Sequence, residues 1–387
     1  MTDIRLFPCT KHSITQADLR AVQESFSQEQ ISCGTITKAF EMAIAKYCNV
    51  EYAVSFTSAS TALDAAFHAA KVSNTDRCIT TPNTFIATVA PMMRRDLKPY
   101  FIDLEQTSGN LSYTKLKELL SHHTPPSRGR WIFVPMHFSG IALDLRLIDH
   151  LFRTPDVLVI EDATHALGAN YPSGEKIGSC CYSQMTILSF DPTMAITTGQ
   201  GGMVTTNDPK LYHRLLTFRN NGIEPSETAE NNNHEIFELG GNYHITEMQA
   251  ALGLSQLERL DHSIEKRRQL ATCYRQYLSG SPVIQFFNEQ YDATSAHHFM
   301  TVKINFTKLQ IARSAFMKQL REMGVSSQLH YTPIYRLPVF TKKYGDCSEQ
   351  FPEMEEYYQT ALSLPLYYDL EASDVEHICK CIRKLIT

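Results

Sequence analysis

Val157-Leu-Val-Ile160 is apolar at every position and runs straight into two carboxylates, Glu161 and Asp162. A strand with no polar face has to be covered on both sides, which points to the middle of a largely parallel sheet with helices on each face. The same unit recurs along the chain. Tyr52-Ala-Val-Ser-Phe56 leads through Thr57-Ser-Ala-Ser-Thr61 into an alanine-rich stretch, Ala62 to Val72. Cys78-Ile-Thr-Thr81 precedes a helix from about Thr84, and Trp131-Ile-Phe-Val134 passes through His137-Phe-Ser-Gly140 to a helix over Asp144 to Phe152. Strands alternating with helices predict an α/β fold whose ligands gather at the carboxyl ends of the strands.

Further along, Gln184 to Phe190 and Gly201 to Thr206 read as strands, and Pro225 to Gly241 as a polar surface loop able to act as a lid. Ser13 with Gln16 forms a capping-box pattern that opens a first amphipathic helix. A single long helix is expected from Glu247 to Leu278, carrying Met248, Leu252, Leu257, Leu260 and Ile264 on one stripe. After Gly280 the style changes: strand His298 to Phe306, helix Gln310 to Met323, strand Ser326 to Leu329, and helices from Pro352 and Ser373. The expected organisation is a large α/β domain over 1–250, then a bridging helix and a smaller α+β domain over 251–387.

Composition narrows the function classes. The 387 residues are 43% hydrophobic and 20% charged, as in an ordinary globular protein. The 41 acids and 36 bases give a net charge of −5, with no basic block dense enough to track a nucleic acid backbone. Ten scattered cysteines with no CxxC pair argue against a metal site or a disulfide framework and for reduced thiols. The start, MTDIRLFPCTKH, lacks the apolar core of a signal peptide, and no apolar run is long enough to span a bilayer, so a cytoplasmic protein without a membrane partner is expected.

Several residues fall where ligands would gather. Ser58-Ala-Ser-Thr61 sits where a strand turns into a helix, so its amides and hydroxyls suit a phosphate, although an ordinary capped helix has the same sequence. Asp162 at a strand end needs a cation or hydrogen-bond donors; a pyridinium nitrogen would serve, as would a helix cap or an internal salt bridge. His165 could reach a ligand oxygen or be a structural histidine. Phe85 could stack on a flat ring or fill the core.

Taken in order, these segments resemble the DegT/DnrJ/EryC1/StrS sugar aminotransferase family over nearly the whole chain. The matching landmarks are Gly34 with Phe40-Glu41, the Ser58 to Ala62 stretch, Glu161-Asp-Ala-Thr-His-Ala-Leu-Gly168, Ser189-Phe190, Ile196 to Gly202, Asn242-Tyr243, Gln249-Ala-Ala-Leu-Gly253 with Gln256-Leu257, and Leu362-Ser-Leu-Pro365. Gln328-Leu-His-Tyr-Thr-Pro-Ile-Tyr335 is similar to the members that aminate C4 of a UDP-linked keto-deoxy sugar. The resemblance implies an aspartate-aminotransferase-like α/β fold (fold type I) and pyridoxal 5'-phosphate or pyridoxamine 5'-phosphate as cofactor. It further implies a nucleotide-linked keto sugar as substrate, an amino donor such as glutamate, and a homodimer. Carried over residue by residue, Ala59, Ser60 and Ser189 would hold the cofactor phosphate, Phe85 would stack on the ring, and Asp162 would pair with the ring nitrogen. His165 would approach the ring hydroxyl, Asn242 would reach the neighbouring subunit's phosphate, and His330 and Tyr331 would meet the substrate.

The sequence departs from that family on one side of the expected site. Met194 stands where the family has the lysine that carries the cofactor as a Schiff base, and no lysine occurs between Lys176 and Lys210. Asp191 replaces a histidine, Gln200 a glutamate, His244 an arginine and Asn221 a histidine. A thioether neither forms that linkage nor moves a proton. The cofactor is therefore expected to bind non-covalently, with Asp191 or His165 as the group able to move a proton. Two alternatives stand beside transamination: a homologue that binds cofactor or sugar nucleotide without turnover, and a lysine-less derived enzyme such as a dehydratase.

Overall fold

The structure is a computed structural model that describes residues 5–122, 129–148, 157–224, 236, 238–287 and 289–386. In chain order its first elements are α1 (Gln16–Ser25), α2 (Thr35–Cys48), β1 (Tyr52–Phe56), α3 (Ala59–Ala69), β2 (Arg77–Thr80), α4 (Ile86–Arg94), β3 (Pro99–Phe101), α5 (Tyr113–His122) and β4 (Trp131–Phe133). They continue with β5 (Val157–Asp162), β6 (Met185–Ser189), β7 (Gly202–Thr206) and α6 (Pro209–Arg219). The seven strands form one sheet in the order β1-β7-β6-β5-β4-β2-β3. β3, β2, β4, β5 and β6 run parallel, and β7 runs antiparallel to both β6 and β1.

The apolar run Val157 to Ile160 lies in β5, in the middle of this sheet and buried from Leu158 onward. Its side chains alternate between two cores. Leu158 and Ile160 pack on one face with Ala62 and Phe67 of α3 and Val89 and Met92 of α4. Val159 packs on the other face with Phe40 and Ile44 of α2 and Ile264. Alternation therefore sends Asp162 to the α3/α4 face and Glu161 to the α2 face. Glu161 is fully buried there and accepts hydrogen bonds from His137 Nε2 at 2.7 Å and Ser183 Oγ at 2.5 Å.

The remaining elements are α7 (Glu247–Leu257), α8 (Leu260–Leu278), β8 (Ile284–Phe286), β9 (Met300–Ile304), α9 (Arg313–Glu322), α10 (Pro338–Tyr344), α11 (Pro352–Thr360), β10 (Ala361–Leu364) and α12 (Ala372–Ile386). β8, β9 and β10 make a second, antiparallel sheet in the order β10-β9-β8. A third core, built on Leu270, Tyr274, Val302, Phe316, Leu362 and Ile378, fills the space between that sheet and its helices.

Three local expectations are corrected. The helix drawn from Glu247 to Leu278 is two helices: Arg259 leaves helical geometry (φ −110, ψ 11), and its guanidinium bonds Ser13 O at 2.9 Å and Asp18 at 2.7 Å. The first helix is capped by Thr15 with Asp18, not by Ser13 with Gln16, because the Thr15 hydroxyl accepts from the Asp18 amide while the Asp18 carboxylate accepts from the Thr15 amide. The strand expected over Ser326 to Leu329 is divided between two single bridges, Val325 to Phe7 and Gln328 to Ser363. The helix expected over Asp144 to Phe152 lies outside the described residues beyond Ile148, and the loop expected over Pro225 to Gly241 lies outside them over 225–235 and at 237. Among the described residues no helix is long and apolar enough to cross a membrane.

Candidate functional site

One edge of the large sheet collects the ends of four strands. Gly202, the first residue of β7, pairs in register with Phe56 at the end of β1 and with Ser189 at the end of β6. Asp162 ends the neighbouring β5. A Cβ on Gly202 would meet the Ala59 amide nitrogen and the Ser58 carbonyl at 2.5 Å, so only glycine lets the start of α3 lie this close to the sheet. The Ser58 and Thr61 side chains and backbones cap one another, which is the ordinary-cap reading of that segment. The Ala59 and Ser60 amides lie outside that exchange at the positive end of the helix dipole. Ser60 is exposed, and Ser58, Ala59, Ser60 and Ser189 all line a cleft of about 300 Å³.

Asp162 lies in the wall of the same cleft and is only 2% exposed. Its Oδ2 accepts from the Thr88 hydroxyl at 2.6 Å; its Oδ1 accepts from the Thr164 hydroxyl at 2.7 Å and the Thr164 amide at 3.2 Å. No lysine or arginine pairs with it among the described residues. Burial pushes its carboxyl above the usual carboxylate range, and the Thr88 and Thr164 hydrogen bonds oppose that shift. Nothing in the sequence marks either threonine as a donor to Asp162; Thr88 lies four residues beyond Thr84, whose hydroxyl is 2.6 Å from its own. Phe85, at the N-cap of α4, is 58% exposed at the cleft, so it is not a core filler.

The opposite wall comes from the second sheet and the segments leading to it. Gln328 exchanges backbone hydrogen bonds with Ser363 of β10, and the Ile334 amide donates to Pro82 O at 3.1 Å, which holds His330 and Tyr331 over the sheet edge. Tyr331 Oη lies 3.1 Å from His165 Nε2, and the His330 ring stacks on Phe299 at 3.7 Å. His298, just before β9, stacks on His165 at 4.3 Å. His165 and His298 are 4% and 3% exposed, and both line the cleft, yet His165 Nδ1 and His298 Nε2 have no hydrogen-bond partner among the described residues. Burial, then His330, pushes the His165 imidazole down to about 3, and burial pushes His330 down to about 4. His298 is pushed well below the usual histidine value by burial, then by His165. The cleft therefore holds three uncharged imidazoles at neutral pH. In the sequence His298 and Phe299 mark only the start of a strand, because histidine has no periodicity that identifies it as a ligand group.

Met194 and Asp191 line the cleft on the β6 side. A tight turn holds them: the Met194 amide donates to Asp191 O at 2.9 Å, and the Thr193 hydroxyl donates to Asp191 Oδ1 at 2.8 Å. Gln200 Nε2 donates to Asp191 Oδ2 at 3.0 Å, so two of the residues that depart from the family pattern are partners. No lysine or arginine is among the cleft's lining residues, all taken from the described part of the chain. Asn242 is exposed, bridges to Asn220, and does not line this cleft of its own chain. His244 lies beside it with Nε2 3.3 Å from Asn220 Oδ1.

The comparisons with known proteins agree with this architecture. The chain is 28% identical over 366 residues to the UDP-4-amino-4,6-dideoxy-N-acetyl-beta-L-altrosamine transaminase of Campylobacter jejuni, covering 95% of this chain and 94% of the relative. Its fold is similar to that of Helicobacter pylori PseC, an aminotransferase involved in the biosynthesis of pseudoaminic acid, with a TM-score of 0.90, 24% identity and 99% of each chain covered. It is also similar in fold to the putative sugar aminotransferase Spr1654 from Streptococcus pneumoniae in its PMP form, with a TM-score of 0.88, 20% identity and 98% of each chain covered. Residues 12–383 match the model of the DegT/DnrJ/EryC1/StrS aminotransferase family, and the chain belongs to that family.

Proposed function

We propose that the cleft binds pyridoxal 5'-phosphate or pyridoxamine 5'-phosphate non-covalently and serves amino transfer from a donor such as glutamate to a nucleotide-linked keto sugar. The observation that carries this reading is Asp162, a buried carboxylate with hydroxyl and amide donors but no lysine or arginine partner among the described residues. A protonated pyridine nitrogen is the cation such a group lacks. The residues fit the rest of the cofactor as well. The Ala59 and Ser60 amides with Ser189 suit its phosphate, the exposed Phe85 ring suits its flat face, and the unpartnered His165 Nδ1 suits the hydroxyl on its ring. Bound there, the cofactor would supply an electron-accepting ring and a carbonyl or amine for exchange.

In this reading Asp162 keeps the ring nitrogen protonated, the α3 terminus and Ser189 orient the phosphate, and His330 and Tyr331 border the space left for the sugar. Asn242, exposed and not among the residues that line its own cleft, is assigned to the cofactor phosphate of the second subunit of a homodimer. Asp191 is the side chain beside Met194 that could take up or release a proton. Met194 favours a second reading, a binder of cofactor or sugar nucleotide that does not transaminate, or a lysine-less derived activity such as dehydration. One experiment separates these. The purified protein is loaded with pyridoxal 5'-phosphate, and its visible absorption is followed on adding glutamate and then a UDP-linked 4-keto sugar. Amino transfer requires the spectrum to cycle and an amino sugar to form; a stable, unresponsive spectrum supports the binder; no spectral change on adding cofactor removes the site itself.

A further inference from the structure

The cleft contains two carboxylates, three imidazoles held neutral by burial, and no lysine or arginine in its lining. An independent observation points to a ligand: His165 Nδ1 and His298 Nε2 are buried in its wall without partners among the described residues. The two carboxylates sit at different places. Asp162 is enclosed at the end of β5, whereas Asp191 is half-buried on the Met194 side and shares its oxygens with Thr193 and Gln200. Both line the same cleft as Met194 and Tyr331.

We propose that this cleft binds the amine form of the cofactor in preference to the aldehyde form, with Asp191 as the carboxylate that meets the ammonium group. The proposal rests on the reading that the cofactor occupies this cleft with its reactive carbon toward Met194. A lysine at that position would favour the aldehyde by linking to it and would repel an ammonium group. Met194 does neither. The ring and the phosphate are common to both forms, so Asp162, the α3 amides and any group contributed by a second subunit to the phosphate cancel in the comparison. What remains is one ammonium against one uncharged carbonyl beside Asp191, and a charge-assisted hydrogen bond is worth about tenfold in affinity.

The test compares three ligands on the 387-residue protein by calorimetric titration at neutral pH: pyridoxamine 5'-phosphate, pyridoxal 5'-phosphate, and 4'-deoxypyridoxine 5'-phosphate, which carries a methyl group in place of the aminomethyl group. The amine is expected to bind at least roughly tenfold more tightly than either of the others. In Asp191→Asn the amine should fall to the affinity of the methyl compound, while the methyl compound itself is unchanged. If the methyl compound binds the native protein as tightly as the amine, the proposal is overturned while the cofactor site stands. Equal weakening of all three ligands in Asp191→Asn would also overturn it, by giving Asp191 a structural role. If none of the three binds, the cofactor site itself is wrong.

Discussion

At the scale of single residues, the site turns on how Asp162 is kept charged. A carboxylate this deeply buried is costly, and two threonine hydroxyls offset only part of the cost, so its carboxyl is raised. Removing the negative charge would strand a ring cation without its partner. Asp162→Asn should therefore lose about 3–5 kcal/mol of cofactor affinity, read by the same titrations, while the fold persists because asparagine still accepts from Thr88. Unchanged affinity would remove the ring nitrogen from Asp162. Met194 makes the complementary prediction. Borohydride should fix no pyridoxal phosphate to the native segment 189–202, since a thioether forms no imine, whereas Met194→Lys should gain one cofactor in mass at residue 194. A lysine variant that binds the cofactor reversibly but is never trapped would show that position 194 does not face the reactive carbon.

At the scale of elements, the sheet edge depends on how closely α3 approaches β7. A Cβ on Gly202 would lie 2.5 Å from the Ser58–Ala59 peptide, and backbone on both sides leaves no flexible side chain to give way. Gly202→Ala should thus cost about 1–3 kcal/mol of stability by overpacking and should also displace the two amides offered to a phosphate. Thermal melts check the first effect. A narrowed affinity gap between pyridoxal phosphate and pyridoxal checks the second, and an unaltered gap would separate the α3 terminus from the phosphate. This edge was legible in the sequence for a physical reason: β5 is apolar at every position because both faces are covered, so its polar end stands out. The break between α7 and α8 was not legible, because no proline or glycine marks it. It comes from Arg259 reaching Ser13 and Asp18, a contact made across 241 residues or more. His298 and the Thr88 donor are hidden for the same reason: their meaning arises only when distant segments close around Asp162 and His165, whereas the Thr164 contact is local.

At the scale of the whole molecule, the histidine group joins the two sheets, and this ties global stability to pH. His165 follows β5 of the large sheet, His298 precedes β9 of the small one, and His330 lies in the segment bridged to β10. Their rings stack across the junction, directly or through Phe299. All three have lowered values in the folded chain, to about 3 for His165, about 4 for His330 and well below the ordinary value for His298, against a reference of 6.5 when exposed. Between pH 6.5 and about 5 the unfolded chain therefore binds protons that the folded chain refuses, so stability rises with pH through this window and is lost as pH falls below 6.5. Each such proton is worth at most about 1.4 kcal/mol per pH unit, so the three together give up to about 4 kcal/mol per unit. Asp162 acts with the opposite sign, since its raised carboxyl makes the folded chain bind a proton more readily, but it contributes a single proton against three. Urea unfolding at pH 5.0, 5.75 and 6.5 should show a steep loss of stability toward the acid side. In His298→Gln, which removes one titrating ring and keeps a polar side chain, the slope should fall by about one proton's share. A slope that is flat or reversed in the native protein would mean that the imidazoles are charged in the folded cleft, and with that the picture of a neutral wall facing two carboxylates would fail.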